Sequence, residues 1–230
     1  MKNLILLIDG KINGKYLEYF NINNYKMIFI PENKNLQKPI NSHTDMNCCK
    51  INETIFCDEN IYDLIKNINY NIIKGESKLQ KNYPFDIAYN AAFVGKFLFC
   101  NKKYAEPKIL EYAEKYNISI IDVKQGYTKC SMIVLNKNNI ITSDIGIYNK
   151  CKNLKINSLF VTNKNVKLNG YNNGFICGCA FVTDNELIFT GDITKHNDYF
   201  KIIEFCDNIN FKIKFIENCD LYDFGSPIIL

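Results

Sequence analysis

Five short segments of small and polar residues recur along the chain, each at the start of a segment that is otherwise apolar. They contain a histidine, several carboxylates and several thiols, at residues 43–45, 86–90, 129–131, 177–179 and 223–226. A cysteine thiolate can attack an electrophilic carbon, an imidazole can move protons near neutral pH, and carboxylates can hold a cation. We interpret the recurrence as one shared site, and the alternative is that these are ordinary strand-entry residues.

Cys130 is the candidate nucleophile. It follows Lys129, whose charge would favour the thiolate if the two side chains approach each other. Cys177 and Cys179 occupy the equivalent place in the next segment, but they flank Gly178, which suits packing. The alternative for Cys130 is a small buried apolar residue, the commonest role of a free cysteine. A catalytic Cys130 is expected to react with iodoacetamide faster than an ordinary thiol.

His43 is the candidate acid or base, although a histidine beside an aspartate can also be a hydrogen-bonded structural residue. The predicted substrate-binding residues occupy equivalent positions in the five segments. The alternative for each carboxylate among them is a structural role in a turn. The predicted residues are Asp45, Asp86, Asn90, Lys129, Asp223 and Ser226. His196 follows Asp192 by about one helical turn and is assigned to a helix start.

The elements that position these residues repeat five times. An apolar strand ending in Asp or Asn recurs at Asp9, Asp58, Asn101, Asp144 and Asp192, at spacings of 49, 43, 43 and 48 residues. Spacings of this size indicate a repeat architecture. The terminal residue is a plausible N-cap for a following helix, of which 106–116 is the clearest.

Two further strands complete each unit, which therefore reads ββαβ. The first strands are predicted at 43–51, 87–94, 127–135, 175–182 and 221–230, and the third strands at 25–30, 70–73, 118–123, 159–162 and 211–216. A unit of this size cannot bury its own apolar face, and a ring of units removes exposed ends. Pairing of 221–230 with the strand Ile5–Asp9 would close that ring. We predict one α/β domain over residues 1–230, a five-bladed propeller with its site at the axis.

Composition narrows the class of protein. The formal net charge of +4 is spread along the chain, which disfavours nucleic-acid binding, and no apolar stretch approaches the length of a membrane span. Ten cysteines without a recognisable signal peptide indicate reduced thiols in the cytoplasm. With two histidines and no C-x₂-C pair, we expect neither a metal nor another cofactor. The expected partner is a small molecule at the axis, and the oligomeric state stays open.

Several motifs resemble those of the pentein fold, the five-bladed ββαβ propeller of guanidino-group-modifying enzymes such as arginine and agmatine deiminases and amidinotransferases. More closely, the chain resembles an uncharacterised bacterial family assigned to that fold. The motifs lie at 43–45, 88–90, 125–131, 141–144, 174–176 and 223–226, and the resemblance covers nearly the whole chain.

The resemblance implies a chemistry in which a Cys thiolate attacks a guanidinium carbon, a His carries the proton and carboxylates hold the cation. His43 and Asp45 resemble the His-x-Asp motif of those enzymes, but in an early repeat. Those enzymes carry the nucleophile in a C-terminal Gly-rich segment, where this chain has Asp223, Phe224, Gly225 and Ser226. Two functions follow as alternatives: a Cys-dependent hydrolase or transferase acting on a guanidine-like or amidine-like molecule, and a non-catalytic binding platform comparable to the ribosome anti-association factor of this fold.

Overall fold

A computed structural model of the chain describes residues 4–230. Residues 1–3 of the predicted domain lie outside the described residues. The strands are β1 Ile5–Asp9, β2 Lys26–Ile30, β3 Cys48–Ile51, β4 Thr54–Cys57, β5 Asn71–Lys74, β6 Ala92–Val94, β7 Phe97–Cys100, β8 Ser119–Asp122, β9 Met132–Asn136, β10 Asn139–Thr142, β11 Asn157–Phe160, β12 Ala180–Thr183, β13 Glu186–Phe189, β14 Lys212–Phe215 and β15 Ile228–Ile229. The α-helices are α1 Gly14–Ile22, α2 Thr44–Asn47, α3 Glu59–Ile65, α4 Pro107–Lys115, α5 Ile145–Asn153 and α6 Tyr199–Asp207.

Over residues 4–230 the strands form five sheets of three strands each, which confirms the predicted mixed α/β fold. The sheets run β15-β1-β2, β3-β4-β5, β6-β7-β8, β9-β10-β11 and β12-β13-β14. In every sheet the middle strand pairs antiparallel with the first and parallel with the third. The parallel pair needs a crossover, which α1, α3, α4 and α5 supply in four sheets and a 3₁₀ turn with α6 in the fifth.

The polar residue at the end of the middle strand caps a helical turn in three of the five units. Asp58, Asp144 and Asp192 each accept a hydrogen bond from a backbone N–H of the turn that follows. The expected caps at Asp9 and Asn101 are wrong, because α1 begins five residues after Asp9 and the Glu106 carboxylate caps α4. Among residues 4–230, no helix has the length and apolar character needed to cross a membrane.

The core is divided into five apolar clusters, and each cluster joins two different sheets. Representative pairs are Leu7 with Ile55, Phe56 with Leu98, Phe99 with Ile140, Ile141 with Leu187, and Ile188 with Leu6, all of them fully buried. The two faces of each middle strand therefore contribute to two clusters. This explains why these strands are almost continuously apolar: both of their faces are covered.

The first and last strands of the described chain pair with each other. Leu6 lies opposite Ile229 and Leu7 opposite Ile228 in an antiparallel ladder. The predicted partner of β1 is therefore correct, but the strand covers two residues and not the whole of 221–230. Residues 223–227 lead into it without ladder pairing.

The other first strands are also shorter than predicted, because the polar residues before them form turns. The helical turn α2 precedes β3, and a 3₁₀ turn over Ile176–Cys179 precedes β12. β6 and β9 begin at Ala92 and Met132, after irregular chain. The polar segments thus lie at the entrances to the first strands, where backbone N–H groups and side chains are free to bond each other.

Candidate functional site

The entrances to the first strands of neighbouring sheets surround a cavity of about 60 Å³. His43, Cys130 and Asp223 line it, together with the rings of Tyr127 and Phe175. One water molecule needs roughly 10–15 Å³ of such space, so the cavity takes a small functional group. The fold therefore brings the predicted nucleophile, the predicted acid or base and one predicted carboxylate to a single cavity.

Cys130 is held by residues from two other sheets. Its Sγ lies 3.3 Å from Asp45 Oδ2, to which it donates, and accepts a hydrogen bond of 3.0 Å from Asn90 Nδ2. Asn90 Oδ1 in turn accepts from the backbone N–H groups of Lys129 and Cys130. These contacts bring Asp45 and Asn90 to the predicted nucleophile. Their roles in substrate binding stay predictions.

The charge around Cys130 differs from the expectation of a thiolate stabilised by Lys129. Burial raises the pKa of the Cys130 thiol well above its usual value, and the charges of Asp45 and Asp223 raise it further. The Lys129 Nζ lies 3.5 Å from the carbonyl oxygen of Met132, and Lys129 is not among the residues of 4–230 that line the cavity. The resting thiol is therefore protonated near neutral pH.

His43 lies between two carboxylates. Its Nε2 is 3.5 Å from Asp9 Oδ2 and its Nδ1 is 3.9 Å from Asp223 Oδ1, and all three side chains are buried. Asp9 also accepts hydrogen bonds from Ser42 Oγ and from the backbone N–H of Lys11. The two buried carboxylates therefore place negative charge on both sides of the imidazole.

Asp223 is fixed by backbone donors. Its Oδ2 accepts from Phe175 N at 2.8 Å and its Oδ1 from Gly225 N at 2.9 Å. Burial raises the pKa of this carboxyl, the His43 imidazole acts in the opposite direction, and Asp45 raises the pKa again. A cationic group entering the cavity would relieve the cost of the buried carboxylate.

Asp45 has one partnered oxygen and one free oxygen. Oδ2 accepts from the backbone N–H of Ser226 at 3.0 Å as well as from Cys130, whereas Oδ1 is buried without a hydrogen-bond partner. The Ser226 hydroxyl donates to the carbonyl of Cys177. The structure thus places Ser226 beside Asp45 through its backbone, and leaves one acceptor unused.

Asp86 lies behind the aromatic wall of the cavity. Its Oδ2 accepts a hydrogen bond of 2.7 Å from the Tyr127 hydroxyl, and its Oδ1 is buried without a partner. Burial raises the pKa of Asp86. Direct substrate binding by Asp86 stays a prediction. In the structure, its hydrogen bond fixes the orientation of the Tyr127 ring.

The remaining candidates have structural contacts. Cys177 and Cys179 are buried, and burial raises the pKa of Cys177 to about 12. The His196 Nδ1 accepts from the backbone N–H of Asp198, and its Nε2 lies 3.1 Å from the carbonyl oxygen of Thr162. His196 therefore stabilises the turn before α6, as expected. Within residues 4–230 there is no cluster of three or more side chains suited to a metal ion.

Sequence reasoning missed two features of the site. Asp9 was assigned to a helix cap, and the aromatic lining from Tyr127, Tyr171 and Phe175 was not foreseen. Asp9 ends a strand whose counterparts end at Asp58, Asp144 and Asp192, which do cap helical turns, so nothing in the sequence around Asp9 indicated a different role. Tyr127 and Phe175 lie shortly before the predicted site residues Cys130 and Cys177, so their positions in the sequence could have indicated an aromatic lining.

The five three-stranded sheets are consistent with the pentein fold, and comparisons with known proteins agree. A family model matches residues 7–229, so the chain belongs to the family of unknown function DUF6873. No significant relative was found among curated proteins.

Solved structures of pentein-fold guanidino-modifying enzymes share the fold. A DDAH from Pseudomonas aeruginosa complexed with citrulline superposes with a TM-score of 0.58 at 9% identity, covering 93% of this chain and 91% of that one. The C. jejuni agmatine deiminase gives 0.55 at 13% identity, with 93% and 86% covered. An amidinotransferase of the saxitoxin pathway from Microseira wollei gives 0.54 at 10% identity, with 88% and 73% covered.

Proposed function

We propose that the protein is a pentein-fold enzyme in which Cys130 acts on a small guanidine or amidine at the cavity. The observation that carries the proposal is the grouping of the Cys130 thiol, His43 and Asp223 around one cavity, with Asp45 bonded to the thiol. The closure of the five sheets into a five-bladed propeller belongs to the same proposal, supported by the β1–β15 ladder and the five shared clusters.

The charges at the site favour a cationic ligand. Asp9, Asp45 and Asp223 are buried near the cavity, and one imidazole lies among them. A guanidinium or amidinium group supplies N–H donors and delocalised positive charge, which suit the unpartnered Asp45 Oδ1 and the faces of Tyr127 and Phe175. A small cation is therefore the complementary ligand.

The cation would also activate the nucleophile. A positive group beside Cys130 offsets the carboxylates that raise the thiol pKa, so the thiolate forms when substrate is bound. The Cys130 thiol passes its proton to Asp45 Oδ2, to which it is hydrogen-bonded. The thiolate attacks the central carbon and forms a C–S bond, and the C–N bond breaks as His43 protonates the departing nitrogen, which leaves as ammonia or an amine. Water then attacks the same carbon and returns a proton to His43; the C–S bond breaks, the thiolate regains its proton from Asp45, and a urea or an amide is released. A second amine in place of water gives a transferase.

The high thiol pKa also supports a second candidate, a non-catalytic binding protein. Cys130 in its resting state is a poor nucleophile, and the C-terminal segment has Ser226 and Gly225 but no cysteine. In this case the site holds the same cation without turnover. Binding is common to both candidates, and covalent chemistry separates them.

The experiment compares agmatine with 1,4-diaminobutane, a dication without the guanidine group. Agmatine is expected to raise the melting temperature of the wild type and the diamine to do so far less, because ligand binding to the folded state stabilises it. Asp45→Asn should abolish the response, and Asp63→Asn, which changes an exposed carboxylate on α3, should retain it.

Turnover is measured as ammonia release across a guanidine and amidine panel, with Cys130→Ser as the inactive variant. Release by the wild type that is lost in Cys130→Ser supports the enzyme. Melting shifts without release favour the binding protein. A flat melting response across the whole panel contradicts the proposed ligand class. A cytoplasmic location and the absence of nucleic-acid and membrane partners remain predictions.

A further inference from the structure

A second depression lies among the first strands of four sheets, away from the Cys130 cavity. β3, β9 and β12 contribute to its lining, as does the segment leading into β15, and its volume is about 320 Å³. This is at the lower end of the range of small-molecule sites, roughly 300–1,000 Å³. Contacts join β9 to β6 and β12, and β6 to β3, so the first strands of these sheets lie next to one another.

Two lysines line this depression. The Lys50 Nζ donates to the carbonyl of Ile229 at 2.6 Å and lies 4.6 Å from the ring centre of Tyr70. The Lys129 Nζ has one long contact, 3.5 Å to the carbonyl oxygen of Met132. Among residues 4–230 neither ammonium has a carboxylate within ion-pair distance. Each ammonium carries three N–H donors, so donors remain for a ligand.

Lys129 projects toward thiols of two other sheets. Burial raises the pKa of Cys49 to about 12 and that of Cys177 to about 12, and the Lys129 charge opposes both shifts. Lys50 is itself half-buried, and burial lowers its pKa. Positive charge is thus held at a partly desolvated place where an anion would stabilise it.

Apart from Asn52, the rest of the lining is apolar. Ile133, Ala180 and Phe181 are buried beneath it, and Pro227 and Ile228 form another side. Apolar walls favour a ligand with a hydrocarbon body, and they disfavour a strongly hydrated ion such as phosphate. The two ammonium groups require negative charge at one end of that body.

We propose that the depression lined by Lys50 and Lys129 is a binding site for a small organic carboxylate with an apolar body. The carboxylate accepts hydrogen bonds from both ammonium groups, and the hydrocarbon part covers Val134 and Val182, which are half-buried residues of the lining. The site is separate from the guanidine site, because the backbone of residue 129 bonds Asn90 while its side chain lines the depression.

The test uses hexanoate, with the neutral isostere hexanamide as the control ligand, in calorimetric titrations at constant ionic strength. The wild type is expected to bind hexanoate at least about tenfold more tightly than hexanamide, since only the acid is charged at neutral pH. Lys50→Met and Lys129→Met should each weaken hexanoate binding by about tenfold or more. Lys137→Met, at the exposed turn of the same β9–β10 hairpin, should leave it unchanged.

Any one of three results would overturn the proposal: the wild type binds hexanoate and hexanamide equally, it does not bind hexanoate, or both Met variants bind hexanoate with unchanged affinity. Tighter binding of inorganic phosphate than of hexanoate, lost in the same variants, would overturn the carboxylate assignment. If a Met variant does not fold, ¹³C-methylated lysines in the wild type replace it, with Lys50→Arg and Lys129→Arg used to assign the signals. The Lys50 and Lys129 signals should then move with hexanoate and not with hexanamide.

Discussion

Asn90 bonds both the side chain and the backbone of Cys130 from a neighbouring sheet. Its Nδ2 donates to the Cys130 Sγ at 3.0 Å, and its Oδ1 accepts from the Cys130 N–H at 3.3 Å. The same oxygen accepts from the Lys129 N–H at 2.7 Å. A single buried amide therefore fixes the position of the thiol and satisfies two backbone donors that precede β9.

Replacing Asn90 with alanine is expected to destabilise the protein by about 2 kcal/mol or more. The substitution leaves the buried N–H of Cys130 and the partly buried N–H of Lys129 without an acceptor, and it removes the donor to the thiol. Urea unfolding measures the change. Asn67→Ala, at an exposed position after α3, serves as the control and should stay within about 0.5 kcal/mol of wild type. A similar loss in both variants would contradict this role of Asn90.

The pH dependence of Cys130 alkylation should differ from that of an ordinary thiol. Because burial and the nearby carboxylates raise its pKa well above the usual value, the rate should keep rising about tenfold per pH unit up to pH 9 and beyond. An unperturbed thiol levels off above its pKa of about 8.5. Peptide mapping of iodoacetamide-labelled folded protein isolates the Cys130 rate. Fast labelling at pH 7 would refute the raised pKa.

Asp45→Asn should accelerate that labelling at neutral pH. The substitution removes one of the charges that raise the thiol pKa, and an asparagine can keep its oxygen toward Ser226 N while its amide takes the place of the unpartnered Oδ1. The thiol titration should therefore move to lower pH. Asp63→Asn, in which the changed carboxylate is exposed on α3, should leave the profile unchanged. Identical profiles in wild type and Asp45→Asn would exclude an electrostatic effect of Asp45.

Two glycines with similar backbone angles give a matched test of the packing around His43. Gly225 has φ +66°, and a Cβ there would lie 2.6 Å from His43 Cβ and 2.8 Å from Asp45 Oδ1. Gly14 has φ +53° and open space around it. Gly14→Ala should cost about 1 kcal/mol from backbone strain, whereas Gly225→Ala should cost about 2 kcal/mol more because of the clash. Urea unfolding of both variants is the measurement, and equal costs would contradict the tight packing.

Deletion of residues 225–230 is expected to reduce solubility as well as stability. The deletion removes β15 and exposes the paired edge of β1, where Leu6 and Leu7 are fully buried. An unpaired apolar edge promotes association with other chains. Size-exclusion chromatography and light scattering should show aggregates that the full chain lacks. A monomeric truncated protein with an unchanged melting temperature would show that β15 does not protect β1.

The sheets could be predicted from the sequence because their middle strands are apolar on both faces and recur at regular spacing. Ile5–Asp9 and its counterparts were located to within three residues at each end. The first strands were placed too early, because the turns Thr44–Asn47 and Ile176–Cys179 run directly into β3 and β12 without an intervening loop. Their shape depends on side-chain contacts with other sheets, such as Thr44 Oγ1 to the Leu7 carbonyl and Cys177 Sγ to the Ile141 carbonyl.

The grouping at the site could be predicted only in part. The sequence showed that His43, Cys130 and Asp223 occupy equivalent positions in their repeats, and these residues do line one cavity. The direction of the Lys129 side chain was not visible, because neighbouring residues in a turn can face opposite sides of the fold. The predicted effect of nearby charge on the Cys130 pKa also had the wrong sign. The charges that act on the thiol are those of Asp45 and Asp223, which are distant from it in sequence and raise its pKa.

The ladder between Leu6 and Ile229 also constrains the order of events during synthesis. β1 leaves the ribosome before every other described strand, yet its antiparallel partner is the last described strand to be made. β1 can pair early with β2, but the other edge stays open while more than two hundred residues are translated. Contacts this distant in sequence form slowly, and the waiting apolar edge is a natural binding surface for a chaperone. Ribosome-bound nascent chains ending before β15 should therefore remain sensitive to proteases near β1, and full-length chains should become resistant on release.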